Sequence, residues 1–526
     1  MIRSRLATLA STVVVAAMMA GAAQAQTTIK LIPQADLKSF DPVWNTAAIT
    51  QNHGFMVYDA LFGMDPNLVP RPQMVESHTA APDGLKYTFT LRPGLRFHDG
   101  TPVTAKDAIA SLQRWGKRTV DGRALLERAA AMTATDDRSF EIVLKEPFGP
   151  ILDALANPIG PPFVMREKEA MTDPNTQISE SIGSGPFIFV KDEWKPGDKV
   201  VYRKNPAYVA RAEPSNGFAG GKPPKVDRVE WLYIPDSNTA TEALLKNEAD
   251  AYEIPPIDLL PKLRADPNIV VRVFNKPGVH GMIRFNSLHP PFNNVKARQA
   301  LAHAIDQKQF LAAMIGNPEF ERECYAVFQC GSPNETTVGS EPYQRPNLEK
   351  ARQLLRESGY DGRPVVIMDP TDQQIIHNIA IMTVDAMKKI GINVDQQVND
   401  WGTLSTRRGR KDPPGPGSLG WNIFTTWSSA VLMQSPVTNF AMATSCDGNN
   451  WFGWPCDEEI ERLRKVYVAA SRPEDRKSAI EALQKRYYET LPFLITGQFQ
   501  SPVAYRKTLT GIPDALLLVM WNVEKR

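Results

Sequence analysis

Residues 86–92 (KYTFTLR) alternate strictly: Tyr87, Phe89 and Leu91 fall on one face, Thr88 and Thr90 on the other. That period predicts a half-buried strand. Ser139 to Lys145 repeats the device with Phe140, Ile142 and Leu144. Between the two, Thr104 and Asp107 stand at the spacing of a helix-capping pair. Gly185 to Tyr202 reads as a hairpin turning at Pro196-Gly197-Asp198. Val226, Val229, Trp231 and Tyr233 outline a further strand, and a short helix over Ala240 to Asn247 leads into Ala249-Asp250-Ala251-Tyr252.

The second half changes period. Asp306 and Gln309 mark the start of a helix running through Leu311 and Met314, and Asn347 caps another whose Leu348, Ala351, Leu354 and Leu355 share a face. Gly359 ends it. Pro364 to Met368 is a strand, and Ile375, Ile379, Met382, Ala386 and Ile390 follow at helical spacing. Gly391 stops that helix, and Ile392, Val394 and Val398 resume as strand. A strand–helix–strand run predicts a parallel, right-handed crossover, hence an α/β lobe. Ligands of open α/β sheets sit at the carboxyl ends of the strands, so the expected binding place is a cleft between two such lobes. Residues 406–420 (TRRGRKDPPGPGSLG) read as a basic surface loop, with a docking element as the rival reading.

Composition narrows the class. Arg3 and Arg5, an apolar run from Leu6 to Met19 and the small-x-small ending Ala23-Gln24-Ala25 make residues 1–25 a cleavable secretory leader. The run is too short for a membrane span, and a mature chain starting at Gln26 is expected in the periplasm. Without Arg3 and Arg5 the 60 basic residues become 58 and balance the 58 acidic ones, so nothing global favours nucleic acid or anionic lipid. The remaining length exceeds what one core supports, and two or three lobes are expected. Four cysteines, Cys324, Cys330, Cys446 and Cys456, allow three disulfide connectivities. Loop closure favours the local pairs Cys324–Cys330 and Cys446–Cys456. The rival zinc site lacks C-x2-C spacing and a neighbouring histidine.

Catalytic signatures are missing: the sequence has no GxSxG, HExxH or P-loop, and its one GxGxxG match, Gly415 to Gly420, sits in the proline–glycine segment and not between a predicted strand and a helix as a dinucleotide fingerprint requires. The seven histidines are scattered, and only His377, beside an expected cleft loop, is a candidate for touching ligand. No enzyme activity, metal or cofactor is expected.

A series of segments carries a resemblance. Phe40-Asp41-Pro42 is followed by Val57-Tyr58-Asp59-Ala60-Leu61-Phe62, then by the run from Asp83 to Gly94 and by Phe97-His98-Asp99-Gly100-Thr101-Pro102. Gly183-Ser184-Gly185-Pro186-Phe187, Trp194-Lys195-Pro196-Gly197-Asp198, Phe285-Asn286, Pro290-Pro291-Phe292 and Arg298-Gln299-Ala300-Leu301 come later. In this order they resemble the family 5 extracellular solute-binding proteins of the dipeptide, oligopeptide and nickel type, over nearly the whole mature chain. The resemblance implies a two-lobe periplasmic-binding-protein fold of class α/β with an extra subdomain in the first lobe. Expected boundaries are 26–62, 183–276 and 499–526 for the first lobe core, 63–182 for the subdomain and 277–498 for the second lobe. Chain crossings are expected near Phe274–Gly281 and Thr496–Val503. It further implies a monomer that encloses a small-molecule ligand by hinge closure and hands it to ABC-transporter permease subunits.

Peptide-binding members that this chain resembles hold the peptide ammonium with an aspartate in a W-x-x-D pattern. Here Trp427 is followed at that position by Ala430. A buried ammonium without a counter-charge costs several kcal/mol, more than a hydrogen bond returns. A free peptide amino terminus is therefore not expected unless Asp372, Glu253 or Asp400 substitutes. The expected ligand is a small polar or amphiphilic organic solute. Trp44, Trp401 and Trp427 would stack on it, with Trp421 and Trp451 behind them, and Asn45, Thr46, Asn286, Ser428 and Ser429 would supply hydrogen bonds. Arg407 and Arg408 are expected to be solvated in the loop, with pairing to a carboxylate as the rival reading. The alternatives are a binding protein signalling to a chemoreceptor, or a hydrolase or metallochaperone on the same scaffold.

Overall fold

In the computed structural model, residues 26–470 and 472–526 are described, and the leader expected at residues 1–25 lies outside them. Alternation decides the small sheet first. Lys86–Leu91 and Ser139–Leu144 each bury every second side chain and pair antiparallel, with Val75–Ala80 and Ala129–Ala134 on their flanks. Phe89 and Phe140 stack across that pair at 5.2 Å, within the range where aromatic pairs add to burial. The helix Ala105–Arg118 begins at a complete capping box, with Thr104 accepting from the Asp107 N–H and the Asp107 carboxylate accepting from Thr104.

Two larger sheets make the lobes. The first has seven strands in the order Ile269–Arg272, Val503–Arg506, Ala251–Tyr252, Thr28–Ile32, Arg228–Leu232, Lys199–Lys204 and Phe187–Phe189. At its centre, Thr28–Ile32 runs parallel to both neighbours. The second has six strands in the order Glu321–Arg322, Phe493–Phe499, Val279–Phe285, Ile423–Ser429, Val365–Pro370 and Val394–Asn399. Val365–Pro370 is parallel to both Val394–Asn399 and Ile423–Ser429, and the helix Gln374–Ile390 makes the crossover, ending at Gly391. Two apolar clusters hold the fold, each drawing residues from both large sheets (Leu31 with Phe424 in one, Ile32 with Ile283 in the other), and Trp427 and Trp451 border both.

The chain leaves the first sheet after Arg272 and enters the second at Val279, then returns between Phe499 and Val503. At the first passage Gly278 has φ +78°, and a Cβ there would come within 2.4 Å of the Phe499 carbonyl oxygen. Only glycine suits such a position. The two passages are tied together, since Gln500 Nε2 donates to the Lys276 carbonyl at 2.5 Å and Gln498 Nε2 to that of Pro277 at 3.0 Å.

The segments that carried the family resemblance hold the scaffold. Asp41 is buried and accepts from Arg114 Nη2 at 2.7 Å; Arg114, also buried, donates from Nη1 to the carbonyls of Thr172 and Asp173 and from Nη2 to that of Thr176. Asp59 accepts from Lys222 Nζ at 2.9 Å and from the Tyr208 hydroxyl at 2.8 Å, all in the interior. Gly183 lets the backbone press against Val57, whose carbonyl oxygen would stand 2.0 Å from any Cβ. Both local disulfides are formed, Cys324–Cys330 and Cys446–Cys456.

Because breaking a buried ion pair leaves an uncompensated charge, Asp41→Ala should lower stability by about 3–5 kcal/mol. Denaturant titration checks it, and a loss below about 1 kcal/mol would show that the pair is not what fixes Phe40-Asp41-Pro42 in place.

Candidate functional site

The carboxyl ends of the parallel strands converge. Thr28–Ile32 delivers Gln34 and Ala251–Tyr252 delivers Glu253; from the other lobe, Val365–Pro370 delivers Gln373 and Val394–Asn399 delivers Trp401. Ile423–Ser429 contributes Thr426, Trp427, Ser428 and Ser429 directly. These side chains line one cleft, which Phe274, Asn275, Ser501 and Val503 of the two chain passages also border. Leu516, Leu517 and Leu518 close an apolar side, as do Phe440 and Trp451.

Contacts across the cleft hold the lobes together. The Tyr233 hydroxyl donates to Asp372 Oδ2 at 2.9 Å, and Gln373 Nε2 donates to the Gln34 carbonyl at 2.5 Å. Asp372 Oδ1 accepts from the Trp401 N–H at 2.8 Å. Burial raises the Asp372 pKa, while Tyr233 and the Trp401 N–H pull it down.

Six residues expected at the site line this cleft: Thr46, Glu253, Trp401, Trp427, Ser428 and Ser429. Trp44 and Asn45 line an adjoining hollow instead, which shares Thr46 and Trp451 with the cleft. Arg118 stacks on Trp44 with its guanidinium carbon 4.8 Å from the ring centroid, and Asn45 Oδ1 accepts from the Ala47 N–H just before the helix Ala48–Val57. Two expectations need correcting. Asp372 lines a neighbouring hollow that shares Gln34, Gln373, Trp427 and Ser501 with the cleft, with both carboxylate oxygens engaged by Tyr233 and Trp401. Asn286 is wholly buried, donating to the Trp421 carbonyl and accepting from the Leu288 N–H, so it braces a turn. Trp421 is core, Trp451 is cleft, and His377 pairs with Asp369 at 2.7 Å outside the lining.

Among the three acids considered as substitutes at Ala430, Asp400 caps its own helix through Thr403 and Asp372 is engaged as above. Glu253 alone faces the cleft. Its oxygens accept from Asn52 Nδ2 at 2.7 Å and the Gln34 N–H at 2.9 Å, and burial pushes its pKa up against those two donors. Ala430 itself is buried, with its N–H on the Gly278 carbonyl.

The larger correction concerns residues 406–420. Arg407 and Arg408 are interior, not solvated. The helix Trp401–Arg407 runs into this segment, so Trp401, Leu404, Ser405 and Arg408 share one buried face at helical spacing. Arg407 donates to the carbonyls of Leu419 and Gly420 and to Gln397 Oε1. Arg408 lines the cleft, where the rings of Trp401, Phe424, Trp451 and Phe452 surround its guanidinium at 4.7–6.0 Å. Trp451 and Phe452 are carried by the loop that Cys446–Cys456 closes. The missed signal was W-x-x-L-S-x-x-R, a helical face hidden ahead of a proline–glycine cluster.

Among the described residues, no group of three or more His, Cys, Asp or Glu side chains is placed to hold a metal ion, and no helix is long and apolar enough to cross a membrane.

The family model described as bacterial extracellular solute-binding proteins, family 5 Middle, matches residues 69–440. The chain is 41% identical over 495 residues to a probable peptide ABC transporter periplasmic-binding protein of Sinorhizobium fredii, covering 93% of this chain and 92% of that one. It is 27% identical to a glutathione-binding protein of Pectobacterium atrosepticum, covering 91% of this chain and 90% of that one. Its fold is similar to that of a binding protein from A. tumefaciens in complex with agropinic acid, with TM-score 0.80, 20% identity and coverage of 95% and 99%. A dipeptide-binding protein from Pseudoalteromonas in complex with Met-Leu superposes with TM-score 0.78 at 20% identity, covering 95% of this chain and all of that one.

Two outcomes are expected from this geometry. Tyr233→Phe removes a hydrogen bond to a carboxylate worth about 1.5–3 kcal/mol, so the unliganded protein should open and its radius of gyration rise in small-angle scattering. Superimposable scattering curves would show that Tyr233–Asp372 does not hold the lobes. Replacing Cys446 and Cys456 by alanine should cost about 2–3 kcal/mol or less and also weaken solute binding, because the loop carries Trp451. The same change at Cys324 and Cys330 should affect stability alone; equal binding losses from both pairs would refute the distinction.

Proposed function

The chain belongs to the family 5 bacterial extracellular solute-binding proteins, and from that premise we propose that it works in the periplasm as the monomeric substrate receptor of an ABC importer. One observation carries this reading: a cleft at the carboxyl ends of two sheets, bordered by both chain passages and lined from both lobes. Closing such a cleft buries a guest against both walls at once, and the closed form is what permease subunits would recognise. Transport needs capture and release without chemistry, which fits a lining built from indoles, hydroxyls and single charges.

The guest we propose is a small amphiphilic organic solute. Trp401, Trp427 and Trp451 offer ring faces, and the Ser428 and Ser429 hydroxyls are buried without partners among the described residues. Unpaired buried hydroxyls cost free energy that a bound polar group would return. Relatives named for peptides and glutathione support a peptide-like or conjugated solute. Ala430 argues against recognition centred on a free amino terminus.

A ligand that prefers the closed state stabilises it by about 2.7 kcal/mol at a hundredfold excess over Kd, so a true guest should raise the melting temperature in a thermal-shift screen. Trp427→Ala should weaken that guest by about 1–3 kcal/mol, read by calorimetry. Recovery of the guest in chemically altered form would end the receptor reading, and unchanged affinity in the variant would remove Trp427 from the site.

A further inference from the structure

We propose that Arg408 is the anchor for a carboxylate on the transported solute, so that the receptor selects organic monoanions with an apolar or aromatic body. This deepens the receptor reading and rests on it. Two buried arginines near this cleft are satisfied differently. Arg284 is fully buried, yet its guanidinium donates to the carbonyls of Phe452, Ala441, Pro492 and Trp451. Arg408 is 2% exposed and has no such cage. Its single hydrogen bond among the described residues is a long one, 3.5 Å from Nη2 to Thr46 Oγ1, and its Nε has no partner. No carboxylate opposes its charge: burial alone pushes its pKa down to about 9, which leaves it cationic at neutral pH.

A guanidinium taken out of water without acceptors is expensive, and natural interiors avoid it. Ring faces keep this one charged, because an aromatic quadrupole attracts a cation. They do not accept the in-plane N–H groups, whose fork matches the two oxygens of a carboxylate. The group therefore stands in the cleft wall with its charge supported and its donors unmet. Glu253, the lone acid of the same lining, is in the opposite condition, since both its oxygens already have donors.

Charge count sets the class further. The lining holds one base, Arg408, and one acid, Glu253. Glu253 is already held by its own two donors, so Arg408 is the one cation of the lining left for a guest: a monoanion meets it one to one, whereas a dianionic phosphate monoester brings a second negative charge into a low-dielectric cleft with no second cation. Leu516 to Leu518, Phe440 and the indoles then cover an apolar body.

The test uses the purified full-length protein and a thermal-shift panel of monocarboxylates, their methyl esters, primary amines and phosphate monoesters, with native mass spectrometry of whatever co-purifies. The expected result is that a monocarboxylate binds and that its methyl ester binds about 30-fold more weakly or worse. Arg408→Gln should lose a similar factor for the acid and nothing further for the ester, the signature of a direct pair. An ester, amine or phosphate monoester bound as well as any acid would overturn the carboxylate anchor while leaving the receptor reading intact. So would full affinity for the acid in Arg408→Gln. A fall of more than about 10 °C in that variant's unliganded melting temperature would make Arg408 structural and overturn the anchor too; the acid–ester comparison in the unaltered protein decides independently of its folding. Absence of any bound or co-purified compound would bring down the receptor reading itself.

Discussion

Two guanidinium groups are buried beside one indole, and the cleft wall depends on how differently they are satisfied. Arg284 lies 4.9 Å from the Trp451 ring centroid and Arg408 lies 6.0 Å from it. Arg284, on the central strand Val279–Phe285, gathers carbonyls from the 441, 451–452 and 492 regions, three stretches far apart in sequence. A charged donor with good acceptors can be buried, and its removal would leave those carbonyls stranded. The Trp451-Phe452 segment is therefore pinned from beneath by Arg284 and at its ends by a disulfide. On that fixed aromatic floor the second guanidinium rests with the distant Thr46 hydroxyl as its one acceptor among the described residues.

The remaining geometry follows from strand direction. In both large sheets the parallel strands point their carboxyl ends at the same gap, so loops from the two sheets meet there. Polar side chains on those loops contact one another only when the lobes approach, as Tyr233 and Asp372 do. On the proposed closure, the same face would supply both the latch and the lining.

Legibility from sequence divides along a physical line. Patterns that repeat locally were readable: the alternation at Tyr87-Phe89-Leu91, the Thr104–Asp107 cap, the crossover helix ended by Gly391, and the local cysteine pairs all appear in the structure. Glu253, Trp401, Trp427, Ser428 and Ser429 meet in the cleft because they stand on or just beyond strand ends, and Thr46 because it precedes the helix Ala48–Val57; that they touch a guest is part of the proposal. Asn286 and Asp372 went elsewhere because their partners are a main-chain turn and a tyrosine of the other lobe, neither visible as a pattern. Arg408 was misplaced for a different reason. Composition marked 406–420 as loop, and that average concealed the last residues of the amphipathic helix Trp401–Arg407 and its cap Arg408. Leu516 to Leu518 belong to no regular element, so no period announced them.

The burial of Asp41 with Arg114, Asp59 with Lys222 and Gly183 against Val57 has a consequence for divergence. None of these groups borders the cleft. Substitutions in the loops at the strand ends can accumulate without disturbing them, so new cargo preferences can arise on an unchanged frame. Kinship in this lineage is written in one set of residues and diet in another.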